Sequence, residues 1–151
     1  MSPDDWEVFR AVRLAALKDA PYAFASTYER EIRAGEDDWR RRLAGRCQFV
    51  AEVDGEVAGT VGGIASDDGG AALISMWVAP SARGRGVGES LVHAVLDWAR
   101  GEGHPAVCLW FAEGNVAAER LYLRCGFVRT GVTQPIVPGQ PRMEFEMEHA
   151  L

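Results

Sequence analysis

The sequence lacks any long apolar run free of charged residues. A membrane-spanning helix needs about 18 or more such residues in succession. The first residues also lack a basic stretch followed by an apolar one, which is the pattern of a secretory signal. The sequence therefore predicts no membrane association and a cytoplasmic location.

Cysteine and histidine are both scarce and scattered. Neither a Cys-x-x-Cys pair nor a close Cys–His spacing occurs, so the sequence predicts no metal site and no disulfide scaffold. Without an export signal, the cysteines are expected to be reduced, buried and inert. The residues concerned are Cys47, Cys108, Cys125, His93, His104 and His149.

Basic residues are not in excess. There are 16 Lys and Arg residues, of which only Lys18 is a lysine, against 22 Asp and Glu residues, giving a formal net charge of −6. A sequence-independent nucleic-acid binder usually has the opposite balance, so no nucleic-acid partner is expected. A chain of 151 residues with 48% hydrophobic residues is typical of one folded domain, here residues 1–151.

Local patterns predict helices first and mostly strands afterwards. Ser2 and Asp5 form an approximate capping box for a helix over 3–18, and charged residues dominate a second helical region over 26–46. The strand at 71–78 is almost entirely apolar, so it is expected to be central and covered on both faces. This order predicts an α+β fold. The remaining predicted elements are strands at 47–53, 57–65, 106–111, 127–136 and 142–148, and helices at 88–100 and 115–125.

A glycine-rich segment, residues 83–88, joins the 71–78 strand to the next helix. Glycines allow the backbone to approach a ligand closely, and the free amides at a helix N-terminus favour an anion such as a pyrophosphate. A Walker A loop would require a lysine here, and a Rossmann fingerprint would require Gly-x-Gly-x-x-Gly after an opening strand. The segment instead fits Arg-x-x-Gly-x-Gly at Arg83, Gly86 and Gly88.

This pattern resembles the acyl-CoA-binding motif of the GCN5-related N-acetyltransferase (GNAT) superfamily. After a further strand come Asn115, Leu121-Tyr122 and Gly126-Phe127, which resemble the second motif of that superfamily. The early residues 13–14 and 20–24 also resemble the first helices of a common bacterial subgroup. The similarity covers nearly the whole chain.

The resemblance implies a GNAT-like fold: a mixed, mostly antiparallel sheet with a parallel, splayed central strand pair, flanked by helices. The pair would be 71–78 and 106–111. It implies acetyl-CoA as cosubstrate, with the pantetheine arm along the first strand of the pair and the pyrophosphate on the glycine segment. The residues expected to bind acetyl-CoA are Trp77, Val78, Arg83, Gly84, Arg85, Gly86, Val87, Gly88, Glu89 and Asn115.

The implied activity is N-acetyl transfer to a primary amine, of a small molecule or a peptide, by direct attack. The resemblance assigns oxyanion stabilisation to a backbone N–H near Val78 and the general acid role to Tyr122, since a phenol can protonate a leaving thiolate. No general base is evident on 71–80. Ser75, Glu29, Glu31 and Glu113 are candidates, and so is solvent relay.

Three points stay open at this stage. The same cofactor motif would serve a catalytically silent module that senses or binds CoA. The acceptor side is expected to be built by the first two helices and the proline-rich loop at 133–141, neither of which has a diagnostic motif. GNAT chains usually begin with a strand before the first helix, and none is evident here. The sheet edge left exposed would favour a homodimer.

Overall fold

The computed structural model describes all residues from Met1 to Leu151. The chain opens with a 3₁₀ turn at Pro3–Asp5 that leads into helix α1, Trp6–Asp19. The predicted capping box is present, because the Ser2 hydroxyl accepts from the Asp4 N–H at 3.3 Å and the Asp5 carboxylate accepts from the Ser2 N–H at 2.6 Å. The predicted helix over 3–18 is thereby confirmed.

The second helical region is divided. Helix α2 is Tyr28–Glu31 and helix α3 is Glu36–Ala44, so the prediction of one helical region over 26–46 is wrong between them. Thr27 caps α2 through its side chain, and Gly35 begins α3 with its N–H bonded to the Asp38 carboxylate. Two separate N-terminal caps leave no continuous helix.

The rest of the chain has its elements in the predicted order. The strands are β1, Cys47–Val53; β2, Glu56–Ala65; β3, Ala71–Val78; β4, Ala106–Ala112; β5, Val128–Pro135; and β6, Met143–Ala150. Two helices lie among them: α4, Val87–Gly101, and α5, Val116–Arg124. The first and last residues of each element differ from the predicted ones by at most two positions, and those of β1 and β3 match the prediction.

The strands form one six-stranded sheet in the order β1-β2-β3-β4-β6-β5. All neighbouring pairs are antiparallel except β3 and β4, which are parallel. The parallel pair is joined only at Ala71–Val107 and Ala72–Cys108. Beyond these residues the two strands diverge, which confirms the predicted α+β fold with a splayed central pair.

A β-bulge in β3 changes which face its side chains occupy. Gly62 pairs with Ile74 and Thr60 with Trp77, so β3 holds one residue more than β2 over this stretch. Ser75 absorbs the insertion with a φ of 56°, which is unusual outside glycine. Leu73 therefore faces the α4 side of the sheet, whereas Trp77 faces the α1 side.

Two hydrophobic clusters cover the two faces of the sheet. The larger lies beneath α4 and α5, and the smaller lies between the sheet and helices α1 and α3. In the smaller cluster Phe9 packs edge-on against the fully buried Trp39, with ring centroids 5.5 Å apart. Burial of such a side chain stabilises the fold by about 1.5–3 kcal/mol.

One further expectation, that the cysteines are buried, is met only in part. All three cysteines are free thiols, but only Cys125 is buried, while Cys47 and Cys108 are partly exposed on strands. Separately, none of the helices combines the length and apolarity that crossing a membrane requires.

Candidate functional site

A cavity of about 980 Å³ opens where β3 and β4 diverge. The ends of the two strands, the glycine segment with the start of α4, and residues 22–26 after α1 line it. Residues of the proline-rich loop at 133–141 do not line it, contrary to expectation. The predicted site residues that do line it are Trp77, Val78, Arg83, Gly84, Gly86, Val87, Gly88, Glu89, Asn115 and Tyr122.

Arg85 is the one predicted site residue that is not part of the cavity wall. Its guanidinium instead extends toward Asp54 in the β1–β2 turn, at 3.9 Å, and both side chains are largely exposed. A pair of this kind contributes little to stability.

The glycine segment takes its shape from backbone angles that favour glycine. Gly84 and Gly86 have φ values of 77° and 80°, in the left-handed region. Gly86 is the N-cap of α4, and the Ser90 N–H is bonded to the Gly86 carbonyl at 3.1 Å. The N–H groups of residues 87–89 precede the first intrahelical donor and so lack helical acceptors. Together with the helix dipole, they form a cradle suited to a pyrophosphate.

Gly88 has a different role in the same segment. A Cβ added there would lie 3.0 Å from Leu121 Cδ2 on α5. The glycine therefore allows α4 and α5 to approach each other at one end of the cavity, in addition to leaving its N–H free.

Arg83 is held in place by two acceptors. Its Nε donates to the Val78 carbonyl at 3.1 Å, and its Nη2 donates to Asp19 Oδ2 at 2.6 Å. Trp77 Nε1 donates to the same Asp19 oxygen at 3.0 Å. Asp19 ends α1 and lies 64 residues before Arg83, so no local sequence pattern could have indicated its part in the site.

The backbone of Val78 presents its polar groups to the cavity. The Ala79 N–H donates to the Ala58 carbonyl of β2 at 2.7 Å. Successive residues of a strand direct their N–H and C=O groups to opposite sides. The Val78 N–H and C=O therefore point away from β2, into the gap that β4 leaves. Since Arg83 occupies the carbonyl, the N–H is the group available to a ligand.

Tyr122 lies on α5 with only 5% of its surface exposed, and its ring packs against Phe127 with centroids 6.0 Å apart. Burial, and to a lesser degree the Cys125 thiol, raises the pKa of Tyr122 far above its ordinary value. The phenol is therefore neutral and acts as a hydrogen-bond donor at physiological pH.

Asn115 begins α5 as its N-cap. Its Oδ1 accepts from the Ala118 N–H at 3.2 Å, which fixes the orientation of the amide. Its Nδ2 has donors left for a molecule in the cavity. Asn115 thus caps α5 and also presents its amide nitrogen to the cavity.

The candidate bases from the sequence are not all in the cavity. Glu31 is buried in a bidentate ion pair with Arg13, both contacts at 2.9 Å, and also contacts Arg42 at 3.2 Å. Burial alone would raise the pKa of Glu31, but the hydrogen bonds and charge of these arginines lower it below its usual value. Glu29 and Glu113 are exposed and do not line the cavity, whereas Ser75 does.

Glu144 lines the cavity and was not a candidate in the sequence. The alternation along β6 places the glutamates on the face opposite Phe145 and Met147, and that pattern is typical of solvent exposure. Glu144 is instead half-buried beside the end of β4. The divergence of β3 and β4 opens the cavity next to Glu144, and the sequence of β6 contains no sign of that divergence.

Comparison with known protein families identifies the class. The family model described as the acetyltransferase (GNAT) family matches residues 10–127. The chain therefore belongs to the GNAT acetyltransferase family, as the sequence motifs predicted. Acetyl-CoA is the acetyl donor that this family uses.

Curated relatives include a Xenopus tropicalis protein named Probable N-acetyltransferase camello, 42% identical over 88 residues, which are 57% of this chain and 40% of that protein. An N-acetylaspartate synthetase of Danio rerio is 34% identical over 104 residues, covering 68% of this chain and 37% of the relative. The chain thus spans about half the length, or less, of the curated relatives that it matches.

Two solved structures share the fold over the full chain. A GNAT-family acetyltransferase from Streptococcus pneumoniae has a TM-score of 0.79 and 20% identity, covering 100% of this chain and 96% of that one. An acetyltransferase from Salmonella typhimurium, solved with acetyl-CoA, has a TM-score of 0.77 and 22% identity, covering 100% and 91%. At such identities the likeness establishes the fold alone.

Proposed function

We propose that this chain is an acetyl-CoA-dependent N-acetyltransferase that acetylates a primary amine by direct attack, with residues 1–151 acting as one domain. The observation that carries the proposal is the opening between β3 and β4. It brings an anion cradle, a free strand N–H and a buried phenol to the wall of one cavity. We also propose a cytoplasmic location, since the three cysteines are free thiols.

The donor end of the cavity matches the chemistry of CoA. The N–H groups of residues 87–89 are directed at the position where a pyrophosphate would lie, and the positive end of the α4 dipole strengthens them. The Arg83 guanidinium, held by Asp19 and the Val78 carbonyl, adds further N–H donors at the same end. The amide nitrogen of Asn115 is a donor available to the pantetheine arm, which would lie along β3 as an added strand does.

The transfer step uses two hydrogen-bond donors of this chain. Bound acetyl-CoA supplies an electrophilic thioester carbon. The neutral amine nitrogen forms a bond to that carbon and gives up a proton to solvent, while the carbon–sulfur bond breaks and its electron pair stays on the sulfur. The Val78 N–H donates to the carbonyl oxygen as its negative charge develops. The Tyr122 hydroxyl donates to the sulfur as it leaves.

The raised pKa refines the general acid role of Tyr122. An ordinary phenol has a pKa about 1.5 units above that of a thiol, so proton transfer to a thiolate is then only slightly uphill. With the pKa raised by burial, complete transfer from Tyr122 is unfavourable. The phenol instead stabilises the sulfur through a charged hydrogen bond, and solvent supplies the proton afterwards.

A thiol-release assay on acetyl-CoA with a panel of primary amines tests this function. We expect CoA release that depends on the amine, with one acetyl group on the product for each thiol released. The opposing proposal is a silent CoA-binding module, since the cradle alone would bind CoA. Tight CoA binding without thiol release on any amine would contradict the enzyme proposal and support the silent CoA-binding module.

A further inference from the structure

The charged side chains that line the cavity are balanced by opposite charges, with one exception. Each of these charged residues lies within hydrogen-bond distance of a residue of opposite charge, which offsets its charge. The pairs are Arg13 with Glu31 at 2.9 Å, Arg83 with Asp19 at 2.6 Å, and Arg124 with Glu89 at 3.0 Å. The exception is Glu144.

Glu144 accepts a hydrogen bond from a neutral group only. Gln134 Nε2, on the neighbouring strand β5, donates to Glu144 Oε1 at 2.7 Å. No Lys, Arg or His nitrogen lies within 4.0 Å of its carboxylate, because none of the ion pairs of the chain includes it. A half-buried carboxylate that has no cationic partner favours a positively charged ligand.

The position of Glu144 is set by the strands around it. It pairs with Ala112 at the end of β4, while the next residue, Phe145, faces the other side of the sheet and packs against Phe111 at 5.5 Å. The Gln134 amide holds one carboxylate oxygen and leaves the remaining lone pairs to the cavity.

The place of β6 in the sheet separates Glu144 from the strand that carries the Val78 N–H. β6 is the second strand from β3, and strands lie about 4.8 Å apart, so the backbones of Glu144 and Val78 are separated by about 10 Å or more. The reacting nitrogen must contact a carbonyl carbon whose oxygen is bonded to the Val78 N–H. Glu144 therefore lies across the β3–β4 gap from the strand that would position the thioester.

We propose that Glu144 binds a second ammonium group of the acceptor, so that the preferred substrate is a linear diamine. Its reacting amine lies at the thioester, and its other amine stays protonated on Glu144. Glu144 is in this account a specificity-determining residue. The assignment presupposes the acetyltransferase function proposed above and adds the substrate class to it.

The test compares 1,5-diaminopentane with n-pentylamine in the thiol-release assay. Both carry the same reacting group on the same carbon chain, and only the diamine has the second charge. A charged hydrogen bond contributes about 1.5–3 kcal/mol, so kcat/KM for the diamine should exceed that for the monoamine by about 10- to 100-fold. The difference is expected in KM rather than in kcat.

Two variants connect that preference to Glu144. Glu144→Gln keeps an oxygen for the Gln134 amide but removes the charge, so the ratio of kcat/KM for the diamine to kcat/KM for the monoamine should fall to about 1. Glu146→Gln is the matched control. Glu146 lies on the same strand and face and accepts from Thr130 at 2.7 Å, but it does not line the cavity. The control should keep the preference.

A charge reversal provides a gain of function that a merely damaged protein would not show. Glu144→Lys should favour 5-aminopentanoate over 1,5-diaminopentane, since the distal carboxylate would then meet a cation. Equal kcat/KM for both amines in the unaltered protein, or a preference that survives Glu144→Gln, would overturn the assignment while leaving the acetyltransferase intact.

Calorimetric titration of 1,5-diaminopentane into the CoA-loaded protein separates the two proposals. If no amine releases thiol, the acetyltransferase function fails. Diamine binding to the CoA-loaded protein that is lost in Glu144→Gln would then still support the cation site. Absence of that binding, together with an absence of turnover, would overturn both.

Discussion

Asp19 Oδ2 lies 2.6 Å from Arg83 Nη2 and thereby links the end of α1 to the start of the glycine segment. The same oxygen accepts from Trp77 Nε1 at 3.0 Å, so one carboxylate joins three elements of the site. Residues 22–26, which follow Asp19 closely in the chain, line the same cavity as Arg83.

Asp19→Asn should weaken CoA binding. The asparagine oxygen can still accept from Trp77 Nε1, but the charge that orients the Arg83 guanidinium is lost. Since Arg83 is half-exposed, we expect a modest effect, a Kd for CoA about 3- to 10-fold higher. The measurement is calorimetric titration of CoA. Asp97→Asn, which breaks the exposed Asp97–Arg100 pair on the surface of α4, is the control and should leave the Kd unchanged.

Gly86→Ala should destabilise the protein and weaken CoA binding together. A non-glycine residue at a φ of 80° costs about 1–2 kcal/mol. Gly101→Ala, at the other end of α4, is the matched control, because its φ is not positive and a Cβ there would contact nothing within 4 Å. Thermal unfolding should show a lower Tm for the first variant only. Equal Tm values would contradict the strained geometry.

Tyr122→Phe should lower kcat with little change in KM or in Tm. The ring that packs against Phe127 is kept, and only the donor to the leaving sulfur is lost. Removal of one such donor costs about 100-fold or more in kcat. Because burial raises the pKa of Tyr122, the unaltered protein should show no decline in rate from Tyr122 ionisation below about pH 10, the ordinary pKa of a phenol. An undiminished kcat in Tyr122→Phe would remove the residue from the chemistry.

Glu31→Gln should lower the free energy of unfolding by an amount that depends on pH. The arginines lower the pKa of Glu31 in the folded state, so this group stabilises the fold above its unfolded pKa, near 4.5, and that stabilisation is lost as the pH falls through the folded pKa. Removing one partner of a buried pair costs about 3–5 kcal/mol. Urea unfolding at about pH 7 should show a lower free energy of unfolding for the variant. The difference in this free energy between the variant and the unaltered protein should become smaller toward about pH 3.

Local signals in the sequence predicted most elements but not the details that shape the cavity. Apolar composition predicted that 71–78 is a central strand, and this is confirmed. The bulge at Ser75 is not marked by a glycine or proline, so nothing in the strand indicated the change of face before Trp77.

The site was predictable where its residues are close together in the chain. Arg83, Gly86 and Gly88 form a local pattern, and Asn115 with Tyr122 forms a second. Asp19 and Glu144 were missed because their roles arise from contacts between distant segments. Alternation along β6 is typical of exposed glutamates, but Glu144 is half-buried because it lies beside the end of the splayed strand β4.

The central claim is that the glycine segment binds CoA through its main-chain N–H groups at the open end of the β3–β4 gap. Calorimetric titration of CoA into the unaltered protein, Gly86→Glu and Gly139→Glu tests it most directly. Gly139 also has a positive φ, 83°, but lies in the loop before β6 outside the cavity. We predict saturable binding that is lost in Gly86→Glu and kept in Gly139→Glu. Absence of binding to the unaltered protein, or equal binding by Gly86→Glu, would contradict the account.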